Sequence, residues 1–381
     1  MSVQAAVVSG PGSIALERFP DPRLGPGEAL VRMELSGICG TDKHIFRGEG
    51  VLYAGTMMET TPGFPVIPGH ENVGVIEEIG ADARTQLEFC GQRLEPGDRI
   101  VMCPDVICGR CWYCRHGRML WCENVVCYGV TLGCGEPPHL FGGWAEHLVL
   151  RSDAFVYKVP ESLPPELAVL VEPLVVTSVL DEARGHSYVG GEGFRGGDTM
   201  VVQGAGPLGL MFVLRGRITG AGDIVVIDSS PFRLELAQRV GATHVLSLEG
   251  TRSEERVARV RELTGGRGAD VVVDCAGVPG ALVEGLEMAR KGGAYLETGA
   301  YVETGTAEIS PHRHLCSKSI RLIGSTNHPY TGYGPALKLL ERHGETAGFR
   351  ELVTHRIPLA RVRDALQTSL RPESGKVLVA P

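Results

Sequence analysis

The first 160 residues or so alternate apolar and polar positions over short runs that glycine and proline separate. A period of two, with many β-branched residues, predicts half-buried β-strands. Runs of this kind occur at residues 5–8, 28–35, 72–79 and 99–102. We therefore predict a β-rich N-terminal part with tight turns between its strands.

The pattern changes after about residue 174, where continuous apolar runs alternate with stretches of helical period. The apolar runs lie at residues 199–203, 224–228, 244–246, 271–275, 295–298 and 319–324, and the helical stretches include 207–219, 231–240 and 254–263. This alternation predicts βαβ units and a parallel sheet. The chain as a whole is thus expected to be of the α/β class.

A glycine-rich loop follows the first of these apolar runs and reads Gly204-Ala205-Gly206-Pro207-Leu208-Gly209. With a strand before it and a helix after it, the loop matches the pattern that binds a dinucleotide. The first glycine allows the tight turn, the second allows a pyrophosphate to approach, and the third allows close helix–strand packing. The helix N-terminus would then face the phosphates. A glycine-rich turn of another α/β fold is the alternative.

The choice of dinucleotide depends on Asp228, which lies 24 residues beyond Gly204 and ends the next apolar run. A carboxylate at this position accepts hydrogen bonds from the adenosine ribose and repels a 2′-phosphate, so NAD is favoured over NADP. Arg233 is close enough in sequence to be a further cofactor-binding candidate, because a guanidinium could accept a 2′-phosphate.

Four cysteines within 15 residues, Cys108, Cys111, Cys114 and Cys122, have the spacing C-x2-C-x2-C-x7-C. Four thiolates complete a tetrahedral shell around Zn²⁺ and leave no open position for chemistry, so this zinc would be structural. Free thiols or two disulfides are the alternative, which a reducing compartment disfavours.

A second set of metal-ligand residue types is scattered along the chain. Cys39 stands in GICGTDKH, His70 and Glu71 stand in PGHE, and Glu172 stands in VEPL. Each alone is as readily a core cysteine, a hydrogen-bonded histidine or a turn residue. Together, Cys39, His70 and either Glu71 or Glu172 supply the three protein ligands of a catalytic zinc, which also binds water.

Composition and charge exclude several classes of protein. The 381 residues carry a net charge of −8, and the cysteine loop has no basic stripe beside it, so nucleic acid is not an expected partner. No apolar run reaches the roughly 18 residues of a membrane span, and no secretory signal is visible. We therefore expect a cytoplasmic protein that does not bind membranes.

These motifs, in this order and together with GGWAEH at residues 142–147, resemble the zinc-dependent medium-chain alcohol dehydrogenases. The resemblance covers essentially the whole chain. It implies a GroES-like β-rich catalytic domain, residues 1–174 and 326–381, interrupted by a Rossmann NAD-binding domain, residues 175–325. It also implies two Zn²⁺ per chain, NAD as cofactor, and a homodimer or homotetramer.

The chain departs from typical members at Glu172, where they have a second zinc cysteine. Glutamate there is similar to the polyol, threonine, butanediol and glucose dehydrogenase branches. It leaves open whether Glu71 binds zinc directly, and whether Glu172 binds directly or through water.

The resemblance also implies roles in oxidation of a secondary alcohol or polyol-like substrate. Zinc would polarise the substrate oxygen. Thr41 would pass its proton through the cofactor ribose to His44, and Asp42 would orient His70. A purely structural role, in which Thr41 or Asp42 caps the N-terminus of a helix, is the alternative for these residues.

Two other functions remain open at this point: a carbonyl reductase working mainly in reverse, and a non-catalytic NAD-binding relative. The substrate is not identified by the sequence. Residues 47–65, with their aromatic and methionine side chains, and residues 327–333 are candidate walls of its pocket; 47–65 is equally readable as a surface insertion. Residues 185–197 form a second long segment of unassigned role.

Overall fold

The computed structural model describes residues 2–184 and 194–381, and the chain forms two compact units. The first consists of Met1–Val175, His328–Gly344 and Val353–Pro381, and the second of Val176–Asn327 and Glu345–Leu352. Most of the unassigned segment 185–197 lies outside the described residues. Residues 345–352, placed with the catalytic domain by the sequence, group with the second unit because the helix Phe349–Leu352 packs there.

The first unit is β-rich. Its strands are β1 (Ser2–Gly10), β2 (Ser13–Pro20), β3 (Ala29–Gly37), β4 (Glu71–Ile79), β5 (Arg99–Cys103), β6 (Asp105–Val106), β7 (Val126–Cys127), β8 (His147–Leu150), β9 (Phe155–Lys158), β16 (Val353–Pro358) and β17 (Lys376–Ala380). Its main sheet has the order β16-β17-β3-β4-β5-β9, with β8 also paired to β3. β17 therefore lies beside β3, although most of the chain separates them in sequence.

Short helices connect these strands. They are α1 (Gly40–Arg47), α2 (Ala83–Gln86), α3 (Trp112–Arg115), α4 (Pro165–Ala168), α5 (Val171–Val176), α11 (Tyr333–His343) and α13 (Val362–Ser369). The faces of the sheet are covered by apolar clusters; one of them packs Ile38 and Ile45 near α1 against Val377 and Val379 of β17. Apolar burial of this kind fixes where the polar strand ends must lie.

The second unit contains a six-stranded sheet whose paired strands are all parallel. Its strands are β10 (Thr199–Gln203), β11 (Asp223–Asp228), β12 (His244–Ser247), β13 (Ala269–Asp274), β14 (Ala289–Glu297) and β15 (Arg321–Gly324), in the order β12-β11-β10-β13-β14-β15. Every residue of β10 is buried, as expected of a parallel strand covered on both faces.

The connecting helices of the second unit are α6 (Leu180–Arg184), α7 (Pro207–Ile218), α8 (Pro231–Val240), α9 (Ser253–Leu263), α10 (Pro279–Met288) and α12 (Phe349–Leu352). The strand order is that of the doubly wound dinucleotide-binding fold, with ligands expected at the carboxyl ends of the strands. The predicted α/β class and parallel sheet are confirmed. Within the described ranges, no helix is both long enough and apolar enough to span a bilayer.

Candidate metal centres and cofactor loop

Cys39 is held at the start of α1 by a backbone hydrogen bond from its own N–H to the Asp42 carboxylate, at 2.7 Å. Cys39 is the residue that precedes the first helical turn, and Asp42 occupies the third helical position. Asp42 therefore takes part in capping, one of the alternatives that the sequence leaves open, although Cys39 rather than Thr41 or Asp42 occupies the cap position itself. A carboxylate in the first turn can reach back to the N–H before the helix, and here it fixes Cys39.

His70 and Glu71 lie where β4 begins, opposite the end of β3, and Gly37 is the register partner of Glu71. A Cβ atom at Gly37 would come within 1.8 Å of a Glu71 carboxylate oxygen, so any side chain there would displace this carboxylate from its observed position. The ordered end of β3 leads directly to Cys39. Antiparallel pairing thus brings two sequence motifs about 30 residues apart to one place.

The ligand atoms of Cys39, His70 and Glu71 all lie within 4.8 Å of one another. His70 and Glu71 are buried, and Cys39 is partly exposed. His70 Nδ1 is 3.7 Å from an Asp42 oxygen and has no hydrogen-bond partner among the residues that the structure describes. One thiol, one imidazole and one carboxylate make a donor set that suits Zn²⁺ with an open position, so these residues fit the metal.

Lys376 is a member of this site that the sequence analysis missed. Its ammonium lies 2.5 and 2.7 Å from the two Glu71 carboxylate oxygens and also donates to the Ile38 carbonyl. The lysine side chain is 2% exposed. Its position at the start of β17, next to β3, explains the contact. A lysine directly before the apolar run 377–379 was the available signal, since such a run predicts a buried strand.

Glu172 is buried in α5 and is therefore not part of an exposed turn before Pro173. Among the described residues, it lies outside the compact group formed by Cys39, His70 and Glu71. Burial raises the pKa of Glu172 to about 8, because removal from water disfavours the charged carboxylate. Its nearest named partner is His328, with Nδ1 at 3.7 Å from a Glu172 oxygen.

The segment 327–333, proposed as a pocket wall, places two polar side chains near Glu172. His328 Nε2 is 2.8 Å from the Tyr333 hydroxyl, and the Tyr333 ring stacks on Tyr157 with centroids 4.6 Å apart. Burial lowers the pKa of His328 to about 3, so the imidazole is neutral. The pocket role itself stays a prediction.

Thr41 and His44 lie three residues apart on α1, and hence on one face of it. The Thr41 hydroxyl is 3.9 Å from the Cys39 sulfur. His44 Nδ1 is 2.9 Å from a Glu49 carboxylate oxygen. A carboxylate only accepts, so Nδ1 is the donor in this hydrogen bond.

Residues 47–65, the other candidate pocket wall, form a loop in which Leu52 and Thr60 make an antiparallel bridge. Met57 at its tip is 95% exposed. Neither the pocket role nor the surface-insertion alternative is tested by this arrangement.

The four sulfurs of Cys108, Cys111, Cys114 and Cys122 also lie within 4.8 Å of one another. The Cys108 N–H donates to the Cys122 sulfur at 3.2 Å, and the Cys111 N–H donates to the Cys108 sulfur at 3.4 Å. Backbone N–H groups, first that of Arg110 and then that of Cys111, lower the pKa of Cys108 to about 6. All eleven cysteines are described, and all are free thiols. The set fits a closed zinc site.

The glycine loop of the second unit has the backbone that the sequence predicted. Gly204 has a φ of +94°, which glycine adopts without strain. A side chain at Gly206 would meet nothing within 4 Å, whereas one at Gly209 would come within 1.8 Å of the Gly204 carbonyl. Pro207 and Leu208 form the first turn of α7. The loop is therefore tightly packed between Gly204 and Gly209 and has open space next to Gly206.

Asp228 ends β11 and uses both carboxylate oxygens within the unit. One accepts the Ala205 N–H at 2.6 Å and the other accepts the Ser230 N–H at 2.8 Å. The carboxylate thus ties the glycine loop to the N-terminus of α8, where the Arg233 N–H donates to the Ser230 hydroxyl. Asp228 is 8% exposed, and the Arg233 side chain is partly buried.

Two domain families match the chain. The alcohol dehydrogenase GroES-like domain matches residues 25–161, and the zinc-binding dehydrogenase domain matches residues 207–342. The chain is 35% identical over 342 residues to 5-exo-hydroxycamphor dehydrogenase of Pseudomonas putida, covering 90% of this chain and 88% of that protein. It is 29% identical to sorbitol dehydrogenase of Bacillus subtilis, covering 100% of this chain and 98% of that one.

A solved alcohol dehydrogenase of Thermotoga maritima has a TM-score of 0.89 with 30% identity, over all of both chains. The chain belongs to the zinc-dependent medium-chain alcohol dehydrogenase family. It is accordingly an oxidoreductase that acts on secondary alcohols, with a GroES-like domain and a Rossmann-like domain.

The ion pair between Lys376 and Glu71 generates a stability prediction. Lys376→Met should leave a buried, unpaired carboxylate and cost about 3–5 kcal/mol of unfolding free energy. Lys376→Met combined with Glu71→Gln should recover most of this loss, because no buried charge remains. Denaturant unfolding of the parent, both single variants and the double variant measures the coupling. Additive effects would contradict the pair as a stabilising contact.

The two glycines of the cofactor loop should separate stability from binding. Gly209→Ala forces a methyl group into the Gly204 backbone and should cost about 1–3 kcal/mol of unfolding free energy. Gly206→Ala has room and should unfold like the parent, yet weaken NADH binding by crowding the pyrophosphate. Thermal melts and NADH titration check both. Parent-like NADH affinity in Gly206→Ala would argue against this loop as the cofactor site.

Proposed function

We propose that this protein is an NAD-linked dehydrogenase that oxidises a secondary alcohol to a ketone at a zinc site built from Cys39, His70 and Glu71. The observation that carries the proposal is the convergence of those three ligand atoms within 4.8 Å, at buried strand ends of the first unit. Cys108, Cys111, Cys114 and Cys122 are proposed to hold a second, structural Zn²⁺. The unpaired state of all eleven cysteines supports this assignment.

Bound zinc supplies a Lewis acid that lowers the pKa of an alcohol oxygen, and NAD supplies a hydride acceptor. The residues of this chain then have separate tasks. Asp42 fixes the Cys39 backbone and lies beside the His70 ring. Lys376 balances the charge of Glu71 and holds it in place. Glu172 is buried and lies far in sequence from the other candidate ligands. We propose that it would contact the zinc ion through water or during ligand exchange.

Thr41 and His44 are proposed to carry the substrate proton away. The Thr41 hydroxyl lies 3.9 Å from the Cys39 sulfur, so it could accept a hydrogen bond from the hydroxyl group of a substrate alcohol at this site. His44 has its proton-accepting atom at Nε2, since Glu49 holds Nδ1–H.

The substrate is proposed to be a polyol-like or cyclic secondary alcohol. The names of similar proteins support this class: 5-exo-hydroxycamphor, sorbitol, erythritol or L-threitol, and L-threonine dehydrogenases. All of these names denote a carbinol that can be oxidised to a ketone. We further propose a cytoplasmic homodimer or homotetramer; a four-thiolate site needs a reducing compartment, and symmetric homo-oligomers are common.

The test of function couples activity to zinc content. A panel of cyclic alcohols, diols, sugar alcohols and hydroxy amino acids, scored by NADH formation, should identify turnover. We expect about two zinc per chain in the parent and about one in both Cys39→Ser and Cys111→Ser, because each loses one site. Cys39→Ser should keep its melting temperature and lose turnover, whereas Cys111→Ser should melt earlier.

Cys316→Ser, which changes an exposed thiol, is the matched control and should behave like the parent. A Cys39→Ser variant with full turnover would overturn the active-site assignment. Unchanged zinc content in Cys111→Ser would overturn the structural site.

Cofactor choice is a separate prediction. The parent should have a higher kcat/KM for NAD⁺ than for NADP⁺, because a 2′-phosphate beside Asp228 is repelled. Asp228→Ser should lower the ratio of kcat/KM for NAD⁺ to kcat/KM for NADP⁺ by about tenfold or more, which corresponds to about 1.4 kcal/mol or more of lost repulsion. Asp223→Asn, at the other end of the same strand, should leave the ratio unchanged. One similar solved structure contains NADP, so both dinucleotides have to be compared. An NADP⁺ preference in the parent would contradict the assignment.

A further inference from the structure

Two carboxylates in the second unit are used by neither the metal sites nor the glycine loop. Asp274 is the last residue of β13 and Glu297 is the last residue of β14, and they are direct register partners in the parallel pair. Neighbouring residues of paired strands lie side by side at the carboxyl edge of the sheet. This edge is where doubly wound folds bind their ligands.

Each carboxylate uses one oxygen to hold the turn that follows its own strand. Asp274 Oδ1 accepts the N–H groups of Ala276 and Gly277, at 2.7 and 3.3 Å. Glu297 Oε1 accepts the N–H groups of Gly299 and Ala300, both at 3.1 Å. The two turns therefore have the same construction.

The second oxygen of Asp274 is buried, and among residues 2–184 and 194–381 no group makes a hydrogen bond of standard geometry to it. Asp274 is 0% exposed and Glu297 is partly buried. Burial raises the pKa of both groups; that of Glu297 is raised to about 7, with repulsion by Asp274 as the second cause. Two adjacent carboxyl groups in such a place are stabilised by one proton between them.

The other titratable groups facing the pair do not supply a charge. Tyr295, on β14, and Cys275, directly after β13, are the remaining groups that act on it, and burial raises the pKa of both. The phenol and the thiol therefore stay neutral at physiological pH. The Tyr295 hydroxyl lies 3.4 Å from the Gln203 side-chain oxygen and also interacts with the Asp274 carboxyl group.

The two turns pack on one another and on the glycine loop. A side chain at Gly277 would come within 2.2 Å of the Gly299 carbonyl, and one at Gly204 within 3.0 Å of the Ala276 nitrogen. The backbone of the 276–277 turn thus lies between the 299–300 turn and Gly204. Because these contacts join backbone to backbone, a movement of the two turns would also displace the glycine loop.

We propose that Asp274 and Glu297 share a single proton, and that this shared proton locks the two turns that support the glycine loop. Both are then positioning residues for the dinucleotide. The inference rests on the proposed binding of dinucleotide at Gly204–Gly209, and it adds a pH dependence that the loop alone does not have.

The direction of the effect follows from the raised pKa of Glu297. Its stabilising contribution is complete below about pH 4.5, its ordinary value, and is lost as the pH rises through about 7. Above that, two adjacent buried carboxylates repel each other and loosen the turns. Dinucleotide affinity should fall over the same range, by no more than tenfold per pH unit because one proton is involved.

The experiment measures the NADH dissociation constant and the melting temperature from pH 5.5 to 8.5. Glu297→Gln is nearly isosteric, keeps an oxygen for the Gly299 and Ala300 N–H groups, and donates an amide hydrogen to Asp274 at every pH. We expect a parent whose NADH affinity weakens several-fold between pH 6 and 8, and a variant whose affinity is flat. The melting temperature of the variant relative to the parent should rise over the same interval.

Two further variants keep the result interpretable. Asp274→Asn places the amide donor on the opposite strand and should flatten both profiles in the same way, even where Glu297→Gln folds poorly. Glu303→Gln is the matched control, because Glu303 is exposed and also accepts a backbone N–H two residues further on, from Gly305 at 2.7 Å. It should keep the parent profile.

Parallel pH profiles of the parent and both amide variants would overturn the shared proton. Equal losses of melting temperature at pH 6 and pH 8 would do the same, because they would mark a merely structural role. A parent that binds no NADH at any pH refutes the proposed cofactor site instead. In that case the melting-temperature profiles still decide whether the proton is shared.

Discussion

The buried charge of Glu71 constrains the first unit more than any other single feature. A carboxylate out of water requires a cation, and Lys376 supplies one to both of its oxygens. The lysine can do so only because β17 pairs with β3, and the carboxylate can be there only because Gly37 has no side chain. Sheet order, a glycine and a buried lysine are therefore consequences of placing one metal-ligand candidate at a strand end.

Local motifs were predicted well because their chemistry is contained in a few residues. The cysteine spacing within 108–122 and the glycine spacing within 204–209 each specify a loop that must close on itself. The parallel sheet was equally readable, since buried strands with intervening helices leave a strong pattern. The structure also shows contacts that the glycine motif does not predict, such as the hydrogen bond from the Ala205 N–H to Asp228.

The parts that sequence reasoning missed depend on contacts between distant positions. Lys376 belongs to no motif, and its partner is 305 residues away. The role of Asp42 at the N–H of Cys39 required knowing where the helix begins, and helix ends are poorly marked when cysteine precedes the first turn. Glu297 looked like an ordinary strand end, because only the register of β13 and β14 shows that it faces Asp274.

Both units have buried or partly buried carboxyl groups at the end of a strand, but each unit accommodates them differently. In the first, Glu71 is neutralised by a lysine; in the second, Asp274 and Glu297 have no such cation among the groups that dominate their titration. Burial of carboxyl groups is costly in either case. A pair of carboxyl groups that relies on a shared proton responds to pH.

The 305-residue separation of Glu71 and Lys376 also bears on how the protein is made. Chains emerge from the ribosome in order, so Cys39, His70 and Glu71 are exposed long before β17 has been synthesised. During that interval the second unit can form its sheet from contiguous residues, while the first unit lacks the strand that lies beside β3. Glu71 is then a carboxylate without its lysine, free to be hydrated or to engage a stray cation. The buried pair of Glu71 and Lys376 can therefore form only after nearly the whole chain has been synthesised.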